Sequence, residues 1–400
     1  MRFELPRACL VVVGSRKGPS ASRVIRSSSD QVAECAAVSV LIVGGGIGGL
    51  FLGASLYRRG IPCEIVERQS EWTTTGAAIT LFPNGMRALR ELGLDEIVQS
   101  RGAPVGMVTA LDRNGAVVRE DPPEMWDGVG RMVTIHRRAL QEILLEAAGD
   151  VPVRMGTTVQ SINQSDTVVD VRLSDNSELQ VDLLVGADGI RSQVRALCFE
   201  DTPPKYVGQM YWRTALHEPV IDQPTMMVDA GRFVALLPLG AGLTYLSVQL
   251  QTDVPIIGVP ANDTELLRKT FADFGEPMTR ALRALQTAEP VHFGPAEEIV
   301  RDKWQSGRVI LIGDAAHACS PVLAQGGSLA MEDGVVLSEL LGELADIDRA
   351  LADFVRRREP RCRMVRERTV QRIAMLNSGA DGVDIAENMR ATYAQLAEPI

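Results

Sequence analysis

VSVLIVGGGIGGLFLGASLYRRGIPCEIVER, from Val38 to Arg68, reads as strand, glycine turn, helix and strand in succession. The β-branched run Val38–Val43 suits a strand buried on both faces. Six glycines (Gly44, Gly45, Gly46, Gly48, Gly49 and Gly53) then fall within ten positions. An apolar helix follows to about Arg59, and a short strand, Cys63–Val66, ends on Glu67. Gly44, Gly46 and Gly49 fill a G-x-G-x-x-G pattern in the context expected of a dinucleotide-binding βαβ unit. Gly44 serves the tight turn, Gly46 lets backbone approach a pyrophosphate, and Gly49 lets the helix pack close to the sheet. The helix N-terminus offers free N–H groups and a favourable dipole to phosphates. Glu67 is placed to accept hydrogen bonds from ribose hydroxyls, and the adjacent Arg68 is counted with the cofactor residues. An acid here repels a 2′-phosphate, which favours FAD or NAD over NADP at this half. The rival reading is a membrane span, since Val38–Tyr57 carries no charge and Gly45, Gly49 and Gly53 are spaced by four. Glycines gathered at one junction, and a second strand ending in an acid, argue against it.

The 400 residues suffice for two modest domains or one large domain with an insertion. Net charge of −10 argues against a nucleic-acid partner. Six cysteines lie scattered without a C-x-x-C, which excludes a disulfide framework and a zinc site and suits a reducing, cytoplasmic setting. The four histidines are never four residues apart, so no metal is expected. Beyond the glycine stretch no segment is long and apolar enough to insert stably in a membrane, and a monomer or homodimer is expected. Residues 1–37 are rich in Arg and Ser and poor in acids. They read as a disordered extension without catalytic role, with a transit peptide or a misplaced start as the other readings.

Further along, Met107–Asp112 and Ala116–Glu120 read as a hairpin, and Ile135–Ala147 as a helix. Arg137 and Arg138 sit in the first turn of that helix, where the dipole does not favour cations. They are either surface arginines or face a cofactor phosphate. Strands are expected over Thr157–Ile162, Val168–Leu173 and Val181–Val185. GADGIRSQVR, Gly186 to Arg195, then offers a second phosphate-suited turn with Asp188, Arg191 and Arg195. Residues 205–250 alternate as QMYWRTAL, TMMVDA, RFVALLPL and LTYLSVQL, an antiparallel sheet and candidate substrate layer. Leu266–Leu285 is a pair of helices. Near the end, Val309–Ile312 is a buried strand that meets Gly313-Asp314. A loop with Pro321 follows, and Gln325-Gly326-Gly327 opens a long helix. The C-terminal arginines (Arg356, Arg357, Arg358, Arg361, Arg363, Arg366 and Arg368) read as a solvated helix face.

GGGIGG with Glu67, GADGIRSQVR and GDAAHACSP, in this order and spacing, resemble the class A flavoprotein monooxygenases, the p-hydroxybenzoate hydroxylase-like family. GAAITLFPNG (from Gly76), YWRTAL and AQGGSLAMEDGVVL resemble its urate, salicylate and hydroxynicotinate hydroxylase branch. The resemblance implies an α/β chain: a Rossmann-type FAD-binding domain, an antiparallel-sheet substrate domain and C-terminal helices. Its segments would be the extension 1–37, FAD-binding parts 38–195 and 296–345, a substrate sheet 196–295, and helices 346–400. Carried over residue by residue, Gly44, Gly46, Gly49 and Glu67 match the adenosine site. Arg137, with Leu140 in an R-x-x-L pattern, matches the FAD-contacting arginine. Asp188 matches the Asp-Gly motif, and Gly313-Asp314 the Gly-Asp motif whose acid binds the ribityl chain. Pro321 and Gln325–Gly327 match the loop along the flavin ring. Many members have glycine where this chain has Ala324, so a left-handed conformation is not expected there.

The implied reaction uses FAD, NAD(P)H and O₂. Reduced flavin forms a C4a-hydroperoxide whose distal oxygen passes to an aromatic or heteroaromatic substrate. Backbone N–H groups at Gly326 and Gly327 suit an anionic reduced flavin. The layer with Met210, Tyr211, Trp212, Met226, Met227, Phe233 and Leu236 would exclude water, at least half of it being plain core. It leans towards an apolar multi-ring substrate. Arg213 and Tyr245 are candidates to orient that substrate. No second G-x-G-x-x-G exists, which weighs against two-dinucleotide reductases. Trp72, Trp126, Trp212 and Trp304 form no halogenase-like run. Two alternatives stand beside the hydroxylase: a flavin-dependent epoxidase or reductase of an isoprenoid or polycyclic metabolite, and a nucleotide-binding protein without catalysis.

Overall fold

The computed structural model describes residues 38–72, 77–122, 130–200, 202–260, 262–378 and 382–400. The extension 1–37, Gly76 and Trp126 lie outside the described residues.

Short apolar runs build a six-stranded sheet, ordered Gln305–Ser306 (β18), Val309–Leu311 (β19), Leu183–Gly186 (β12), Val40–Val43 (β1), Cys63–Val66 (β2) and Val153–Arg154 (β8). β1 and β12 are buried at every position, and β1 pairs in parallel with both β2 and β12. Only β18 runs antiparallel. Such a sheet needs helical cover on its faces. Ile47–Arg58 (α1) packs against both Arg137–Ala148 (α4) and Gly326–Glu343 (α9). Phe51 of α1 lies so close to Gly334 of α9 that a Cβ at 334 would fall 2.6 Å from its ring.

A second, antiparallel sheet joins Ala78–Leu81 (β3), Val133–His136 (β7) and Ala103–Pro104 (β4). Pro83–Glu91 (α2) and Asp95–Arg101 (α3) link its strands, α2 opening on a proline and α3 on two acids. The helix expected from Ile135 therefore begins two residues later. Val133–His136 is β-branched enough to pair with β3, and His136 ends the strand and caps α4, its Nδ1 accepting the Arg138 N–H at 3.2 Å. A meander of Val159–Gln164 (β9), Val169–Leu173 (β10) and Glu178–Val181 (β11) leads into β12. The single strand expected over Val181–Val185 is thus two strands, broken at Asp182, which accepts hydrogen bonds from Ser39.

The largest sheet has seven strands: His292–Glu298 (β17), Lys205–Leu216 (β13), Leu243–Gln251 (β16), Arg232–Gly240 (β15), Thr225–Asp229 (β14), Val108–Asp112 (β5) and Val117–Asp121 (β6). It departs from the expected antiparallel layer in two ways. The β5–β6 hairpin joins it through a parallel pairing of β5 with β14, and β17 adds a strand beyond β13. The strands of the six-stranded and seven-stranded sheets are thereby interleaved in sequence. Glu265–Thr270 (α6) and Met278–Ala284 (α7) bring Leu267, Phe271 and Met278 onto one face, where they pack with Trp212, Met227, Leu236 and Val248. Trp212 stacks on Phe293 at 4.5 Å. Burying side chains of this size stabilises the fold by about 1.5–3 kcal/mol each. Strand alternation puts Tyr211, Arg213, Tyr245 and Gln249 on the opposite face.

The described helices are completed by Gln193–Cys198 (α5), Asp314–His317 (α8), Ile347–Ser378 (α10) and Gly382–Ala397 (α11). Two arginines of α10 depart from the expected solvated face, whereas Arg356 and Arg363 are exposed as expected. Arg358 is fully buried and ion-pairs with Glu332 and Asp333 of α9, and Arg361 pairs with Glu332. Tyr393 of α11 stacks on Phe82 at 4.1 Å and donates to the Leu323 carbonyl at 3.0 Å, fastening the Pro321–Leu323 turn. Among the described residues no helix is long and apolar enough to cross a membrane.

Candidate active site

At the end of β1 the three motif glycines face different things. A Cβ at Gly44, whose φ is +110°, would lie 2.5 Å from the Ala187 carbonyl oxygen, so the glycine loop touches the turn after β12. A Cβ at Gly49 would fall 1.9 Å from the Gly44 oxygen, which leaves only glycine able to close the loop onto α1. At Gly46 no described atom lies within 4 Å of that position. Packing explains Gly44 and Gly49, and open space explains Gly46. Glu67 accepts the Gly45 N–H at 2.7 Å and the Gln69 N–H at 2.9 Å, so its carboxylate is fixed at the mouth of this space. Arg68 is exposed.

Gly45, Gly46, Glu67 and Gln69 line a cavity of about 150 Å³ together with Leu50, Trp72, Arg137 and Gln141. No sequence motif marks Gln141, and Trp72 figures there only among the scattered tryptophans and not as a site residue. The Trp72 ring lies against the loop, 2.8 Å from where a Gly45 Cβ would be. Arg137, first residue of α4, is half-buried, with part of its surface open to the cleft. Its pKa is pushed down by burial and by the Arg213 charge, and drawn back by Asp314 and Tyr245. Arg137 thus links the glycine loop electrostatically to the other candidates.

At the far end, β19 runs into Gly313, φ +57°, and Asp314. Asp314 is exposed, and its Oδ1 lies 3.6 Å from where a Gly326 Cβ would sit. Gly326 therefore brings the start of α9 against this acid. Gly327 has another cause: a Cβ there would strike Ile79 at 2.4 Å. No side chain caps α9, so its first N–H groups are free for a ligand. Ala324 corrects the expectation for this loop. It is left-handed, φ 51° and ψ 34°, following Pro321–Leu323. The αL residue lets the 3-10 turn close, with the Ala324 N–H on the Pro321 carbonyl, before Gln325 opens α9. Buried polar atoms without partners among the described residues collect here: Asn84 Oδ1, Gln325 Nε2 and Ser328 Oγ.

The second phosphate-suited turn is not formed by its arginines. Arg195 is buried and donates to the carbonyls of Ala315 at 3.0 Å and Ile190 at 2.6 Å, while Arg191 pairs with Glu297 at 2.8 Å. Asp188 turns its Oδ2 to the N–H groups of Gln193 and Val194, at 2.7 and 3.1 Å. Its Oδ1 is buried without a partner among the described residues, and burial raises its pKa.

The face of the large sheet away from α6 and α7 carries the remaining candidates. Ala215, Leu237, Leu239 and Tyr245 form an apolar patch with Ala77 and Ala78. Arg213 lies over the Tyr211 ring, 4.8 Å from its centroid. The Tyr211 hydroxyl sits 3.0 Å from Gln249 Oε1 and 3.1 Å from Gln209 Oε1. One phenolic proton serves one of these, so the other amide presents its NH₂ group instead. Ser320 also donates to Gln209, at 3.1 Å, which ties the Pro321 loop to the sheet. Burial pushes the Tyr211 pKa up, keeping it a neutral donor. Gln209 and Gln249 were not singled out in the sequence, because their alternation matched that of ordinary strand residues, and no motif role marks Ser320 in its loop. Of the seven apolar residues expected to exclude water, Trp212, Met227 and Leu236 pack on the helix-covered face. Tyr211 lies on the other face.

The geometry fits FAD: an open cradle at Gly46, an acid at the end of β2, a cationic Arg137, an exposed Asp314 and uncapped helix N–H groups. A family model described as an FAD binding domain matches residues 37–372. Aurachin C monooxygenase/isomerase of Stigmatella aurantiaca is 35% identical over 322 residues, covering 79% of this chain and 84% of that protein. The FAD-dependent urate hydroxylase of Klebsiella pneumoniae is 32% identical over 340 residues, covering 82% and 87%. The crystal structure of Klebsiella pneumoniae HpxO complexed with FAD and uric acid has a TM-score of 0.79 at 27% identity, covering 92% of this chain and 95% of that one. The resemblance seen in the sequence motifs is borne out: the chain belongs to the FAD-binding family of flavoprotein monooxygenases and is an FAD-dependent enzyme.

Proposed function

We propose that this monooxygenase hydroxylates an aromatic or heteroaromatic small molecule held between the Pro321–Gly327 loop and the face of the seven-stranded sheet away from α6 and α7. The observation that carries the reading is the FAD-binding family match over residues 37–372 in a chain whose glycine-loop cavity is lined by Gly46, Glu67 and Arg137. Gly44, Gly46, Gly49, Glu67 and Arg137 would hold the adenosine diphosphate half of FAD. Asp314 and Gly313 would hold the ribityl chain, and Gln325, Gly326 and Gly327 the ring. Asp188 would set its turn against Gly44. Bound FAD supplies the redox chemistry that side chains lack, using NAD(P)H and O₂ so that one oxygen atom ends on the substrate and the other in water.

The protein's own contribution is orientation, dryness and charge. The patch of Ala215, Leu237, Leu239 and Tyr245 excludes water from the reacting edge and favours an apolar ring system over a urate-like one. Arg213 faces the substrate with a cation, and Tyr211 with Gln209 and Gln249 offers donors and an acceptor to a ring heteroatom. Free N–H groups at Gly326 and Gly327 stabilise negative charge where α9 begins. The free cysteines Cys63, Cys198, Cys319 and Cys362 suit a reducing, cytoplasmic setting.

The test is a screen of candidate aromatics for stimulated NAD(P)H oxidation, scored by product mass and residual peroxide. A product heavier by one oxygen atom supports the reading. A product heavier only by hydrogens moves the chain to a reductase, and protein that stays colourless with FAD overturns the cofactor assignment.

A further inference from the structure

Behind the Gly313–Asp314 turn three residues distant in sequence converge on one buried carboxylate. Asp333 of α9 is fully buried. Its Oδ2 accepts the Gly313 N–H at 2.8 Å and His317 Nε2 at 2.7 Å, and its Oδ1 accepts Arg358 Nε at 2.7 Å. The neighbouring Glu332, also buried, accepts Arg358 Nη1 at 2.7 Å and Arg361 Nε at 2.9 Å. Arg358 further donates to the Leu329 carbonyl at 3.1 Å and lies 3.7 Å from Cys362 Sγ. His317, Asp333 and Cys362 could by spacing hold a cation, but the Arg358 guanidinium already reaches both the carboxylate and the sulfur. The cluster is an ion-pair network.

Buried networks of this kind contribute little net stability, because desolvation offsets most of the attraction. What this one adds is geometry. It holds Gly313, in a left-handed conformation, and His317, and these two bracket the four-residue α8 that begins at Asp314. Asp314 itself points outward and exposed. We propose that Asp333, clamped by His317 and Arg358, is a positioning residue for FAD: it holds the Gly313 N–H and thereby fixes the direction in which Asp314 meets the ribityl chain. The proposal rests on the reading of Asp314 as the ribityl-binding acid.

His317 gives the device a pH dependence. It faces Asp333 from α9, Cys362 and Arg358 from α10, and the Trp304 ring at 5.0 Å. Burial alone would strip its proton, but the Cys362 sulfur and the Asp333 carboxylate outweigh burial and hold its pKa well above the ordinary histidine value. A folded-state pKa raised in this way means the clamp is complete at neutral pH and loosens as pH rises through the raised value.

The experiment uses the full chain, stripped of flavin and titrated with FAD by flavin fluorescence, for wild type, Asp314→Ala, Asp333→Asn, the double variant and His317→Gln. Asp333→Asn cannot accept from both Arg358 and Gly313, and its FAD Kd should rise by about 10- to 100-fold, as for other residues that orient a ligand-holding group. In the double variant the losses should fail to add, because Asp333 acts through Asp314. His317→Gln keeps a donor for Asp333 without a titrating proton. Its FAD Kd should stay flat as pH rises above neutral, where the wild-type value climbs. An unchanged Kd in Asp333→Asn, or fully additive losses, would overturn the proposal. If Asp333→Asn fails to fold, the His317→Gln profile decides, and an alkaline limb like that of wild type overturns it. Wild-type protein that binds no FAD would bring down the cofactor reading first and this proposal with it.

Discussion

Gly46 and Gly49 are both motif glycines, yet the structure separates them sharply, and alanine at each gives opposite expectations. Gly46 is the N-cap of α1, with φ −75° and ψ −174°, extended backbone that alanine adopts without strain. With no described atom within 4 Å of the new Cβ, nothing in the protein opposes the methyl group. Alanine is a poorer N-cap than glycine by about 0.5–1 kcal/mol, and the stiffer unfolded chain returns about 0.4–1 kcal/mol. Gly46→Ala apoprotein should therefore melt within about 2 °C of wild type. Its FAD affinity should suffer, because the methyl stands where the pyrophosphate approaches. Losing one hydrogen bond to a charged phosphate costs about 1.5–3 kcal/mol, a rise in Kd of about 10- to 150-fold. Gly49→Ala is the reverse case. Its Cβ would sit 1.9 Å from the Gly44 oxygen, backbone that cannot swing aside, and overpacking of this kind costs about 1–3 kcal/mol or more in the apoprotein. Thermal melts of the apoproteins and fluorescence titration with FAD read the two terms independently. A Gly46→Ala protein that binds FAD as tightly as wild type, or that melts far below it without ligand, would refute the reasoning.

Asp314→Ala should weaken FAD by about 1.5–3 kcal/mol through loss of a charge-assisted hydrogen bond; unchanged affinity in the same titration would remove Asp314 from the site. Ala324→Gly should leave stability level or raise it by up to about 1.5 kcal/mol. Relief of a left-handed alanine is worth about 1–2 kcal/mol against about 0.4–1 kcal/mol of added chain freedom, and a clear drop in melting temperature would contradict the αL assignment. His292 is pushed below its ordinary pKa of 6.5 by burial and by Arg213 and Arg137. Its neutral form is therefore favoured in the fold, and that stability is present above 6.5 and lost as pH falls. His292→Gln should flatten the acid limb of a melting-temperature profile, and an unaltered limb would show that His292 titrates freely.

Much of the cofactor half was legible because its signals are local. The strand–glycine–helix unit, the second strand Cys63–Val66 and the turn at Gly313-Asp314 are each written within about thirty residues, the span of one βαβ unit. The sheet half was less so. Nothing near Val108–Asp121 says that this hairpin pairs in parallel with Thr225–Asp229, a contact across more than a hundred residues. Alternation identified the strands of the sheet but left open which parity faces the site. Trp212 and Leu236 proved to be covered by α6 and α7, whereas Gln209 and Gln249, unremarked in the sequence, carry the hydrogen bonds to Tyr211. The C-terminal arginines misled for a related reason. Composition suggested a wet helix face, and only the fold reveals that Glu332 and Asp333 wait beneath it.

The charge pattern at the junction of the two layers constrains what can bind there. The Arg213 charge depresses the proton affinity of Arg137, and His292 feels both arginines. Asp314 is the carboxylate that pulls Arg137 back. Among the described residues Arg213 packs on the Tyr211 ring and pairs with no carboxylate, and a cation held partly out of water without an opposite charge is costly. A fold keeps such cations where anions arrive. On the proposed reading the diphosphate of FAD would meet that condition near Arg137, and the negative charge of a reduced flavin ring would meet it near Arg213 and the N–H groups that open α9. The same excess of positive charge penalises a cationic substrate and leaves neutral or acidic aromatics as the compounds the junction can accept. Raising ionic strength should accordingly weaken FAD uptake less than it weakens binding of an acidic substrate. The cofactor's charge lies in the half-buried Arg137 cleft, whereas a substrate must cross open solvent to reach Arg213.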